Sequence, residues 1–83
     1  MATINTQKLQ ETLKTRYGTE AKWDDTLGGW HAEIETGRGN LGLVFIEKGA
    51  RVWKPNGTRK TYYEVSNAQL VHYLDQALEF WRS

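Results

Sequence analysis

Cysteine is absent from these 83 residues, so neither a disulfide nor a thiolate-bound metal can hold the fold together, and redox chemistry points to no compartment. Proline occurs once, at Pro55, and histidine only twice, at His31 and His72. No apolar run approaches the roughly 20 residues of a membrane span, and the N-terminus, Met1 to Lys8, lacks the apolar stretch of a signal peptide. A soluble cytoplasmic protein with no membrane partner is the expectation. Asn56-Gly57-Thr58 matches a glycosylation acceptor, but without a secretory signal the match is idle. Charge of one sign is also missing: eleven Lys and Arg against ten Asp and Glu give a net charge of +1, which does not announce a nucleic-acid binder.

What the chain has is rings: four Trp, four Tyr and two Phe. A chain of this length forms one domain, over 1–83, and buries only about 60–65% of the surface it exposes when unfolded. Large rings fill a small core well. Charge, though balanced overall, is unevenly distributed. Residues 20–35 hold five acids and Lys22 alone, whereas 48–60 hold Lys48, Arg51, Lys54, Arg59 and Lys60 with no acid.

Periodicity gives the elements. Leu9, Leu13 and Tyr17 recur at helical spacing over 5–17, with Asn5 or Thr6 as N-cap and Gly18 suited to the left-handed C-terminal position. A short strand around Ala21 and Trp23 stops at Leu27-Gly28-Gly29, where Gly28-Gly29 suits a tight hairpin. Trp30, Ala32 and Ile34 then alternate with His31, Glu33 and Glu35, as in a strand with one wet face. After Gly37-Arg38-Gly39-Asn40 the run Leu41 to Ile46 is apolar at both parities. Lys48-Gly49 makes the next turn, and Pro55-Asn56-Gly57 closes a hairpin between 51–54 and 58–65. Leu70, Val71, Leu74, Ala77, Leu78 and Trp81 mark a last helix over 67–81, opened by a Ser66-x-x-Gln69 box. The order predicts an α+β domain of two layers: a helix, a four- or five-stranded antiparallel meander, and a C-terminal helix, with the helices packed on one face.

That layout leaves Val44 and Ile46 on the other face. Either the first helix crosses over, or the sheet coils enough to shield them, or they form a surface for self-association, as in a homodimer, or for another partner.

Three patterns invite chemistry. Gly37-x-Gly39-x-x-Gly42-x-Val44 satisfies the phosphate-covering loop of kinases, but these glycines precede a strand where a dinucleotide loop must open a helix. A glycine-rich β-turn with close packing at Gly42 is the preferred reading. His31, Glu33 and Glu35, with Asp24 and Asp25 near, form a conceivable metal or general-base group, yet a wet strand face shows the same alternation. No Ser-His-Asp arrangement has local support. The expectation is therefore a protein that is not an enzyme, with no cofactor, no metal and no catalytic residues.

The third pattern carries the functional reading. Arg51, Trp53, Lys54, Arg59, Lys60 and Tyr62 combine cations with aromatic faces in one hairpin. Trp, Tyr and Arg anchor protein interfaces, and the same combination holds single-stranded nucleic acid. A non-enzymatic accessory or regulatory module that engages a macromolecular partner, most simply a protein, is expected, with single-stranded nucleic-acid binding as the alternative. Cations on an edge strand also discourage aggregation, which is the purely structural reading. The turn decides the geometry. A two-residue turn at Asn56-Gly57 pairs Trp53 with Lys60 and Arg51 with Tyr62, giving one basic aromatic face. A turn through Pro55-Asn56 with Gly57 as a bulge pairs Trp53 with Arg59 and mixes the faces. On the first geometry, removing the Trp53 and Tyr62 rings leaves the fold intact.

Overall fold

The computed structural model describes residues 1–83 and contains, in order, α1 (Thr6–Tyr17), β1 (Lys22–Asp24), β2 (Gly29–Glu35), β3 (Asn40–Ile46), β4 (Gly49–Trp53), β5 (Arg59–Tyr63) and α2 (Asn67–Arg82). The five strands form one antiparallel sheet in the order of the chain, β1-β2-β3-β4-β5. No helix is long and apolar enough to cross a membrane.

Both helices start as their sequences dictate. The Asn5 side chain accepts from the Lys8 amide, and Gly18, at φ +67°, donates its own amide back to the last carbonyls of α1. At α2, Ser66 and Gln69 close a reciprocal capping box. The two N-termini are clipped together: the Asn5 amide donates to Asn67 Oδ1, and Asn67 Nδ2 donates to the Asn5 carbonyl. The helices thus begin side by side at one end of the sheet.

Both also lie on the same face. Leu9 and Leu13 of α1 and Leu70, Leu74 and Leu78 of α2 share one buried cluster with Ala32, Ile34, Leu41, Leu43, Phe45, Ala50 and Val52. These strand residues are of one parity in register: Ala32 opposes Leu43, Leu43 opposes Val52, and Phe45 opposes Ala50. Side chains of the other parity therefore point away from the helices, onto a face that carries no second layer. The first helix does not cross over, so the expected cover for Val44 and Ile46 does not come from there.

Several turns differ from the sequence reading, each for a local reason. The β1–β2 connection is the four-residue loop Asp25 to Gly28, closed by Gly28 N–H to Asp24 O and by Leu27 N–H to Asp24 Oδ1, so Gly29 belongs to β2. The β3–β4 turn is Glu47-Lys48, because Gly49 pairs with Ile46. Gly49 is needed inside the sheet: a Cβ there would collide with the Tyr62 carbonyl oxygen. In the last hairpin the Gly57 amide donates to Lys54 O, the Lys54 amide donates to Thr58 O, and Gly57 sits at φ +88°. This is the bulged turn, in which Pro55 supplies the fixed φ and Gly57 the left-handed residue.

Candidate partner-binding face

That bulge sets which hairpin side chains meet. Trp53 opposes Arg59, Val52 opposes Lys60, Arg51 opposes Thr61 and Ala50 opposes Tyr62. Arg51, Trp53 and Arg59 therefore lie on the bare face, whereas Lys60 and Tyr62 lie on the helix side beside Val52 and Ala50. The single basic aromatic surface expected from a two-residue turn does not form. Tyr62 stacks on Tyr73 of α2, with centroids 4.6 Å apart and planes 12° from parallel, and packs against the core. Burial, with Tyr73 adding to it, pushes the Tyr62 phenol above its ordinary pKa. Tyr62 thus belongs to the margin of the core rather than to a free surface. Lys54 sits in the turn and, with Lys60, lines a hollow of about 500 Å³ between the hairpin and α2, beside Tyr73, Phe80 and Trp81. Lys60 Nζ lies 5.5 Å from the Tyr62 ring centroid.

The bare face can be laid out in cross-strand rows from the register. One row runs Lys22, His31, Val44, Arg51, Thr61. The row on one side of it runs Asp24, Gly29, Ile46, Gly49, Tyr63, and the row on the other side runs Glu33, Gly42, Trp53, Arg59. The charge asymmetry of the sequence becomes a spatial one: acids on β1 and β2, arginines on β4 and β5, and the central strand between. Arg51 Cζ lies 5.8 Å from the Trp53 ring centroid. The ring rests over Gly42, where an added Cβ would lie 3.7 Å from Trp53 Cε3. The glycine motif thus resolves into a turn, with Gly37 and Gly39 at positive φ, and a seat for an indole at Gly42.

Val44 and Ile46 fare differently. Val44 lies between His31 and Arg51 in its row, beside side-chain-free Gly29, and is only 4% exposed. It offers little surface to a second molecule. Ile46 is 40% and Tyr63 77% exposed, and both border a shallow hollow of about 350 Å³ with Arg51 and Arg59. Tyr63 was missed from sequence because a two-residue turn at Asn56-Gly57 puts it on the face opposite Arg51 and Trp53, whereas the bulged register puts it on theirs.

On the acidic half, His31 Nε2 is 3.9 Å from Glu33 Oε1, and Glu33 Oε2 accepts from Asn40 Nδ2. Asp24 is engaged in its own turn, and Asp25 accepts from the Trp23 indole N–H. No three His, Asp or Glu side chains converge into a cage for a metal ion. The groups most shifted in pKa lie elsewhere, between the helices: Arg16 and the Tyr17 hydroxyl both donate to Asp75. Burial, then the bond to Asp75, pushes the Tyr17 phenol up to about 12, and the Arg16 guanidinium holds the Asp75 carboxyl below its usual value. This triad joins α1 to α2.

Compared with known proteins, the chain matches no family model, no curated protein and no solved structure.

Proposed function

We propose that this protein is a non-enzymatic binding module, and that the β3–β5 half of its bare sheet face engages an acidic protein surface. One observation carries the reading: a five-stranded sheet has its helices on one side only, and the uncovered side presents Arg51, Trp53 and Arg59 with exposed Ile46 and Tyr63 and no acid among them. Sheets in small proteins bury one face against a layer and leave the other to water, so a wet face needs polar side chains, not an indole with one arginine over its ring and another opposite it in register. Arg, Trp and Tyr are the residue types that contribute most when an interface closes over them, because each combines a large apolar area with a polar tip. The acid on β1 and β2 would orient such a partner by repelling its acidic side.

Single-stranded nucleic acid draws on the same rings and arginines, but two features weigh against it. Lys60 is turned to the helix side, which removes a cation from the face, and Glu33 and Glu35 would repel a phosphate chain running across the strands. The experiment that separates the readings is affinity capture from the native host with wild-type protein and Trp53→Ala, each with and without nuclease. The expected result is a protein retained by wild type, indifferent to nuclease and lost with Trp53→Ala. Capture that disappears on nuclease treatment would assign the face to nucleic acid, and capture that survives Trp53→Ala would remove the face from the account.

A further inference from the structure

The sheet ends on a strand whose outward backbone groups are unpaired and whose cations, Arg59 and Lys60, would repel an unmatched strand. β5 pairs only with β4, and its ladder is bracketed by the bonds Lys54 N–H to Thr58 O and Glu64 N–H to Lys48 O. In an antiparallel ladder the bonded pairs alternate, so Lys60 and Tyr62 spend their backbone groups on β4. Arg59, Thr61 and Tyr63 then aim three N–H and three C=O groups away from the sheet, and no hydrogen bond within the chain reaches them. The other edge, β1, is only three residues long.

A strand of five residues with free ladder groups accepts another strand. Its side chains say which. Arg59 and Lys60 occupy the first half of β5, and Tyr62 and Tyr63 the second. A second β5 laid antiparallel about a two-fold axis through Thr61 places Arg59 opposite Tyr63 of the other copy, Lys60 opposite its Tyr62, and Thr61 opposite Thr61. Each cation meets a ring, both ways, and the threonines meet each other, all of which are favourable cross-strand pairs. A parallel arrangement would set cation against cation. The two-fold also satisfies every outward group: Thr61 exchanges both bonds with Thr61, and Arg59 exchanges both with Tyr63, six in all. On the helix side, the incoming Lys60 and Tyr62 arrive beside the hollow lined by Tyr73, Ala77 and the 66% exposed Phe80.

We infer that the chain self-associates through β5, joining two copies into a continuous ten-stranded antiparallel sheet with helices on one side and a doubled bare face on the other. The edge shares Arg59 and Tyr63 with the face proposed to hold a protein partner, but it is joined by backbone bonds, so Thr61→Pro tests the edge and Trp53→Ala tests the face.

Thr61→Pro tests it without unfolding the chain. The Thr61 amide points outward and is not bonded to β4, so proline removes only a ladder group that a second copy would use. Light scattering from micromolar to millimolar concentration should show the wild-type mass rising to twice that of the chain, and Thr61→Pro remaining at one chain with an unchanged circular dichroism spectrum. Amide exchange at Arg59, Thr61 and Tyr63 should slow as wild-type concentration rises, while exchange at Lys60 and Tyr62 stays constant. Because the chain has no cysteine, Thr61→Cys adds a readout: a bonded antiparallel pair sets Cα atoms about 5.5 Å apart, within disulfide reach, so oxidation should yield a covalent dimer far faster than with Lys22→Cys on the opposite edge. A wild type that stays monomeric at millimolar concentration overturns the inference, whether or not an acidic peptide protects the same amides. So does a dimer that Thr61→Pro leaves intact, or one abolished by Ile46→Asp but not by Thr61→Pro.

Discussion

Trp53 and Tyr62 belong to the same hairpin, and one bulge residue gives them different surroundings. Trp53 lies on the bare face over Gly42, while Tyr62 is wedged between β5 and Tyr73 at the margin of the core. Tyr62→Ala should therefore cost about 2 kcal/mol in urea unfolding, from lost burial and stacking, and Trp53→Ala less than about 1 kcal/mol. Equal losses would contradict the assignment of faces. Rings and cations were legible in the sequence as residue types, but the face each one takes was not. A slip of one residue reverses every side chain, and Pro55-Asn56-Gly57 is compatible with two registers. The ionisable triad between the helices was not legible at all, because Arg16 and Asp75 are far apart in sequence. Its pH signature follows from its shifts. Asp75 has a lowered folded pKa, so its contribution is present above the ordinary carboxylate value and is lost as pH falls through the depressed one. Tyr17 is raised to about 12, so its contribution is intact below its ordinary value of 10 and is lost as pH climbs from there. Tyrosinate absorbance should include a late step near that upper limit, and Tyr17→Phe should remove that step. Asp75→Asn should flatten the acid limb of the stability profile, by a small amount because the ion pair is largely in water.

Among the elements, the helices were the most legible. Leu70, Leu74 and Leu78 repeat at helical spacing, Ser66 and Gln69 form the capping box their types suggest, and Gly18 ends α1 in the left-handed conformation. Ser66→Ala should cost about 1 kcal/mol, since it orphans an amide of the first turn. Strand order and the parity of β2 and β3 also followed from alternation. Turn positions did not, because the two hairpin glycines assigned to turns serve strands instead. Gly29 makes room for Val44 and Ile46, an added Cβ falling 2.9 Å from Val44 Cγ1, and Gly49 lets β4 approach Tyr62. Such contacts depend on a neighbouring strand and leave no mark in the local sequence. Gly49→Ala should destabilise by about 1–3 kcal/mol in the same unfolding assay, because the obstacle is backbone and cannot turn aside.

For the whole molecule, an α+β sandwich of one sheet and two helices was expected and is what the chain forms, but a single sequence does not place a helix on a face. Placing both on one side has the larger consequence, since it leaves five strands bare and sorts their charge into an acidic half and an arginine half. The claim that the arginine half is the working surface is tested most directly by mapping where a captured protein partner touches the chain. Titration of unlabelled partner into isotope-labelled protein, followed by amide and indole NMR signals, should shift Ile46, Arg51, Trp53 and Arg59 first. The Trp81 indole and the Tyr73 and Phe80 amides on α2 should stay in place. Shifts concentrated on α2, or on His31, Glu33 and Glu35, would contradict the account.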